Sequence, residues 1–369
     1  MRAGVQIETI QLLRFVAALL VALYHLSGSV PETELSGSVL YAFQGGGLGV
    51  DIFFVISGFI MVYTTRGARS FDATTFLWSR LLRIFPPYWV VLGATMLIAT
   101  LAMVAFDAGG GLVELMTPTG LFVSVTLLPA PHHVMAVAWT LALEIVFYIV
   151  FALAFAAARL RGVVVALLLW YAAAVVYREG FFAENPDYWI LLHSIVIEFL
   201  YGVLIGYAFI KGKLRFGPAV FALGTLLCCL YLWMAASDMS ILPREFERGI
   251  PAALLVYGAA ATKWAMPRAA VVGGESSYVL YLIHSLFYGV VFTLAGMAGI
   301  NLGSHDALLC AVALGAVLLS VLLTILLERP YEAWRRRFVS RLSAGRRKPT
   351  RPASAPVSSA RLPRSVRKS

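Results

Sequence analysis

Ile10-Gln-Leu-Leu-Arg14-Phe-Val-Ala-Ala-Leu-Leu-Val-Ala-Leu-Tyr-His25 is an apolar run that, with its flanks, is long enough to cross a bilayer, yet it carries two groups that hydrocarbon makes costly to keep. Eleven helical steps separate Arg14 from His25. They turn the chain about 1100°, three turns plus about 20°, so both side chains share a face and lie about 16 Å apart along the axis. A long ligand can touch both.

Working outward, the composition agrees with a membrane reading. The chain has 369 residues, of which 60% are hydrophobic and 13% charged, with a mean hydropathy of +0.84. Such a chain exposes too much apolar surface to be a soluble domain. The first run lacks a small-residue cleavage site and reads as a spanning helix, not a removable signal. The three cysteines, Cys228, Cys229 and Cys310, lie in apolar runs and give neither a disulfide framework nor metal-ligand spacing. We therefore expect no metal and no redox chemistry. The net charge of +10 falls into particular loops and one tail, which is a topology signal and not a nucleic-acid footprint.

Apolar runs of about 20 residues predict an all-α polytopic bundle of about ten transmembrane helices, near 7–28, 46–64, 82–105, 136–158, 162–177, 189–210, 218–236, 249–264, 277–299 and 307–327. A cytoplasmic N-terminus puts Arg66, Arg69, Arg80, Arg83, Arg159, Arg161, Lys211, Lys213, Arg215, Lys263 and Arg268 on the inner side and leaves only Arg178, Arg244 and Arg248 facing outward. The bias of basic residues toward the inner loops then sets both termini in the cytoplasm. Residues 7–332 form the expected membrane domain. The Arg-, Ser-, Pro- and Ala-rich stretch 339–369 cannot bury a core and reads as a disordered cytoplasmic tail near anionic lipid heads. The run 120–128, in the longest outward connection, is too short to span and reads as re-entrant or interfacial.

Counting depth along the helices puts His25, Asp51 and Glu144 within two turns of their outward ends, which predicts one shared polar pocket. His25 is either a hydrogen-bonded packing residue or a base that takes a proton from a hydroxyl near neutral pH. Asp51, after Gly45-Gly-Gly-Leu-Gly49, either favours a helix N-terminus or orients His25. At the opposite end lies Trp78-Ser-Arg80-Leu-Leu-Arg83-Ile-Phe-Pro86-Pro87-Tyr-Trp89. Its two arginines share a helical face. They are either topology anchors within an aromatic belt or a clamp for anionic phosphates. His284 has Tyr281 and Tyr288 as neighbours; about two turns from the inner end of its helix, it lines a ligand path or merely packs. His193 and Glu198 are weaker candidates for contact with a substrate, Ser57 reads as a close-packing position, and His132 and His133 read as surface residues.

Taken in order, these residues resemble the membrane acyltransferase-3 family. Its Arg-x10-His is matched by Arg14 and His25, its Gly-Val-Asp-x-Phe-Phe-Val-Ile-Ser-Gly-Phe element by Gly49 to Phe59, and its Arg-x-x-Arg-x-x-Pro by Arg80, Arg83 and Pro86. Trp139-Thr-Leu-Ala-Leu-Glu144-Ile-Val-Phe-Tyr148, Ser277-Tyr278 with Tyr281 and His284, and Glu328-Arg-Pro330 match three more. Thr140 and Ala142 replace the usual serines, and Ile145 stands where a second acid is common. The resemblance implies a multi-pass inner-membrane O-acyltransferase, closest in form to the exopolysaccharide acetyltransferase branch. Acetyl-CoA from the cytoplasm would be the donor and a polysaccharide or lipid-linked glycan the acceptor. It implies His25 as the catalytic residue, with Arg14, Arg80 and Arg83 holding the donor; beside it, our reading of the residues has Asp51 or Glu144 orient His25 and steady its imidazolium, and Tyr281 and His284 line the donor path. A covalent acyl-histidine relay is the alternative mechanism. The alternative function is a transporter or flippase that uses the same charges as a relay.

Overall fold

The computed structural model describes residues 8–66, 71–106, 110–178, 189–237, 239, 242–262 and 264–345. Helix α1, Glu8–Ser27, opens on an acid and closes on His25, in the sense the helix dipole favours. It buries Ile10, Leu13, Ala17, Ala18, Val21 and Ala22, at the three- and four-residue spacing that places them on one face. Helices α2, Leu48–Thr65, and α3, Ala73–Phe106, follow. Helix α4, Ala138–Val176, is 39 residues long but leaves helical geometry at Ala158 and Arg159, where φ is 53° at the arginine. The fourth and fifth runs expected from sequence are the two halves of this broken element.

The second half of the bundle contains α5, Val196–Ile210, α6, Gly217–Ala236, α7, Gly249–Ala261, α8, Arg268–Met297, and α9, Asp306–Leu323. A π-helical turn, Thr324–Glu328, leads into α10, Arg329–Gly345. Among the described residues, every regular element is helical. Among the described residues, seven helices are long and apolar enough to cross a membrane, and α5 is a shorter apolar helix. The protein is thus a multi-pass membrane protein. Two helices begin about nine residues earlier than the apolar runs suggested: α3 at Ala73, so that Arg80 and Arg83 lie inside it, and α8 at Arg268. The helix after α9 continues to Gly345, seven residues past the expected start of the tail, and residues 346–369 lie outside the described residues. The run expected to be re-entrant or interfacial falls on a helix of nine residues, Pro118–Thr126, capped by the Thr117 hydroxyl on the Gly120 amide.

Close approach of α2 to α5 holds the centre of the bundle together. A Cβ on Gly58 would stand 2.1 Å from the Phe199 carbonyl oxygen, and one on Gly202 would stand 2.0 Å from that of Val55. Backbone meets backbone there, so nothing can move aside for a methyl group. Beside this contact Phe54, Phe147 and Phe199 form a stack with centroid separations of 4.5 and 3.9 Å. Gly58→Ala is expected to cost about 1–3 kcal/mol by overpacking, whereas Gly93→Ala, with no atom within 4 Å of its new Cβ, is expected to be neutral or slightly stabilising. Thermal unfolding of the two variants in detergent checks this; equal midpoints would remove the close-packing argument.

Candidate active site

Arg14, Arg80 and Arg83 come from α1 and α3 to line one cavity of about 200 Å³. Glu144 is the single acid in that lining, and Gln11, Ser57, Thr140, Tyr148, Tyr278 and Tyr281 supply its neutral polar groups. Outside the lining, Glu328 attracts Arg14 and Arg83, and Glu332 attracts Arg83; toward the cavity itself the three cations meet one anion, and in a low dielectric such a space favours an added anion. The arginines are also poorly satisfied. Arg14 Nη1 donates to the side-chain Oε1 of Gln11 at a long 3.3 Å. Arg80 donates from Nη2 to the Thr64 hydroxyl at 3.0 Å while its buried Nε has no partner. The Arg83 side chain makes no hydrogen bond among the described residues, though Glu332, Glu144 and Glu328 attract it. Such free donors on fixed guanidinium planes suit phosphate.

The two arginines hold their places because α3 runs unbroken through Pro86 and Pro87. Each proline lacks an amide hydrogen, which leaves the carbonyls of Leu82 and Arg83 without their helical donors. The Tyr331 hydroxyl donates to the Leu82 oxygen, repairing one of these gaps. Next to it, the Tyr278 hydroxyl donates to the Ile84 oxygen at 2.9 Å and Arg335 Nη1 to the Ser79 oxygen at 2.7 Å. Tyr331 directly follows Glu328-Arg-Pro330, so the closing motif of the chain completes the helix that carries the arginine pair.

Glu144 does not share a pocket with His25, as depth counting suggested. It lies in the arginine cavity, where Oε1 accepts hydrogen bonds from the Ser57 hydroxyl at 2.5 Å and the Tyr148 hydroxyl at 2.6 Å. Ser57, expected to be a packing position, faces the cavity with this carboxylate beside it, and Gly58 next to it makes the close helix contact.

His25 meets His284 instead. His284 Nε2 lies 3.2 Å from His25 Nδ1, and the ring centroids are 5.0 Å apart. His284 is sixteen residues into α8 and fully buried, not two turns from the inner end, because α8 starts early. In both rings Nδ1 also meets the carbonyl oxygen four residues back, Val21 at 2.9 Å and Leu280 at 3.0 Å. The cavity stops one ring short of this pair. Tyr281 lines the cavity, bonds Thr140 Oγ1 through its hydroxyl at 2.5 Å, and places its ring 6.1 Å from that of His284.

Asp51 also leaves the expected pocket. Wholly buried, it receives a bidentate pair from Arg244, Nε to Oδ1 at 3.0 Å and Nη2 to Oδ2 at 2.8 Å. Glu198 is buried against the same group. Nearby, Glu245 accepts from Arg178 at 2.8 Å, the Tyr171 hydroxyl at 2.9 Å and Ser194 at 3.2 Å. Burial pushes the Glu245 carboxyl up, but its backbone hydrogen bond, Arg178 and Tyr171 outweigh that and hold it below the usual range. His193 stacks on Trp139 with centroids 5.7 Å apart, and its Nδ1 accepts from the Ile195 amide at 3.1 Å. Burial, then the charge of Arg244, brings this imidazole down to about 4, so it stays neutral. Of the outlying histidines, His133 is half-buried, not a surface residue, and burial brings it down to about 4.

The family model described as an acyltransferase domain matches residues 7–329. The chain is 32% identical over 318 residues to the exopolysaccharide production protein ExoZ of Rhizobium meliloti (strain 1021), covering 82% of this chain and 94% of that one. It is 26% identical over 316 residues to the acyltransferase MdmB of Streptomyces mycarofaciens, covering 76% of this chain and 78% of the relative. No solved structure matches. With a family match spanning nearly the whole helical bundle, the chain belongs to the acyltransferase-3 family and is a membrane acyltransferase.

Proposed function

We propose that this acyltransferase takes an acyl group, most simply acetyl, from acyl-CoA on the cytoplasmic side and delivers it to a hydroxyl of an exported or cell-envelope polysaccharide, at the inner membrane. The observation that carries the reading is the convergence of Arg14, Arg80 and Arg83 on a cavity with one acid. The phosphates of a nucleotide thioester supply the missing negative charge at Arg80 and Arg83. The pantetheine arm is slender enough to continue past Arg14, where Glu144 and Ser57 offer hydrogen-bonding groups for its amides. The name of the ExoZ relative supports an exopolysaccharide acceptor.

In this reading His25 Nε2 takes the proton of the acceptor hydroxyl as its oxygen attacks the thioester carbonyl. The carbon–sulfur bond breaks, and the departing thiolate recovers that proton from His25, so the histidine ends as it began. The thioester reaches His25 past Tyr281, whose bond to Thr140 lies at the end of the cavity. A transporter needs no arginine cluster suited to a nucleotide, and it moves glycan without moving label.

Membranes containing the full chain, given radiolabelled acetyl-CoA and a deacetylated exopolysaccharide, are expected to label the polysaccharide, and His25→Ala to reduce the rate by about 10²–10⁴-fold. Label that stays in CoA would refute the reading. Arg83→Gln removes a charged hydrogen-bonding group worth about 1.5–3 kcal/mol and is expected to raise the KM for acetyl-CoA about tenfold or more, with the KM for polysaccharide unchanged; equal effects on both would argue against a donor site. Asp51→Asn is expected to cost about 1.5–3 kcal/mol of stability, partly recovered in the double variant Asp51→Asn/Arg244→Met, while turnover per folded molecule stays near that of the parent. A fall of about 10⁴-fold in turnover with the fold intact, as when a carboxylate holding a catalytic histidine is removed, would return Asp51 to the reaction.

A further inference from the structure

The geometry points to a histidine pair: His284 is the positioning residue that fixes the tautomer of His25 and receives the hydrogen bond that a carboxylate accepts in a Ser-His-Asp arrangement. The inference rests on the proposed acyl transfer for its kinetic consequence but not for its structural one.

The tautomers follow from what the neighbours can do. The carbonyl oxygen of Leu280 only accepts, so His284 Nδ1, at 3.0 Å, carries a hydrogen and donates it. A neutral His284 then has a bare Nε2, and that atom lies 3.2 Å from His25 Nδ1. His25 Nδ1 also faces the Val21 oxygen at 2.9 Å, a second pure acceptor. Two acceptors around one ring nitrogen put the hydrogen on that nitrogen, shared between them. His25 Nε2 is left with its lone pair free and no hydrogen-bond partner among the described residues, which is the form a general base requires.

Neither expected carboxylate is placed to do this. Both oxygens of Asp51 are taken by Arg244, and Glu144 is bonded by Ser57 and Tyr148 within the arginine cavity. The choice of a neutral acceptor has a chemical consequence. A carboxylate next to His25 would hold the imidazolium as a buried ion pair, whereas a neutral imidazole polarises His25 without a full counter-charge. The proton taken from the acceptor is then more readily returned to the leaving thiolate. His284 is held for this task by helix α8: it is fully buried, between the rings of Tyr281 at 6.1 Å and Tyr288 at 6.0 Å.

Two variants of the full chain test the pair. His284→Gln keeps an acceptor oxygen near the position of Nε2, and His284→Leu removes it. In acetyl transfer from acetyl-CoA to deacetylated exopolysaccharide, His284→Leu is expected to lose about 10²-fold or more in kcat, the lower bound for general-base work, with the KM for acetyl-CoA unchanged. His284→Gln is expected to recover most of that loss. Nitrogen-15 spectra of histidine-labelled protein in lipid are expected to show His25 protonated on Nδ1 in the parent and in His284→Gln, and a mixture of tautomers in His284→Leu. Equal kcat in the two variants, or a parent His25 protonated on Nε2, would overturn the inference. A parent that transfers no acetyl group would sink the proposed function, and the nitrogen spectra would still decide the tautomer.

Discussion

Like charges forced together in a low dielectric are the constraint on which the rest of this structure depends. Arg14, Arg80 and Arg83 face one cavity with Glu144 as their single acidic companion in the lining. Guanidinium groups inside a membrane bundle are costly, and three around a common space add mutual repulsion, which the attraction of Glu144, Glu328 and Glu332 opposes. A structure that served stability alone would pair them, as it pairs Arg244 with Asp51 and Arg178 with Glu245 elsewhere in the same molecule. Their free donors suit an anionic ligand.

That arrangement is visible in how the surrounding backbone is satisfied. Two consecutive prolines would normally break α3 near the arginines. The tyrosines of α8 and α10 instead donate to carbonyls around the break, so the helix continues and its arginines keep their direction. Across the bundle, the absence of side chains at Gly58 and Gly202 lets α2 and α5 touch through their backbones, which leaves the neighbouring Ser57 directed at the cavity. The helical scaffold and the site use adjacent residues for opposite purposes: Gly58 closes space and Ser57 lines it.

Much of this was legible in the chain. Arg14 stands out because a charge within an apolar run is expensive, helical arithmetic pairs Arg80 with Arg83, and the family resemblance is what groups all three. The membrane-helix class followed from hydropathy. What sequence could not supply was azimuth. Asp51 and Glu144 were both counted as lying near outward helix ends, but depth does not say which face a residue presents, and each turned to a different partner. The pairing of His25 with His284 spans 259 positions, and it was hidden further by an apolar run that marked the start of α8 about nine residues late. Ser57 reads in sequence as a close-packing position; the carboxylate beside it comes from another helix, 87 positions on. Arg178, Arg244 and Arg248 were the exceptions to the positive-inside pattern, and the first two are engaged by buried carboxylates while the third lies over the Tyr231 ring at 5.0 Å.

The most direct measurement of the central claim is a cryo-electron microscopy map of the full chain in lipid with a non-hydrolysable acetyl-CoA thioether. The account predicts phosphate density against Arg80 and Arg83, the pantetheine arm passing Arg14, and the acyl end within reach of the free nitrogen of His25. Nucleotide density bound elsewhere, or an acyl end still held on the arginine side of Tyr281 in a map that also shows bound glycan, would contradict it.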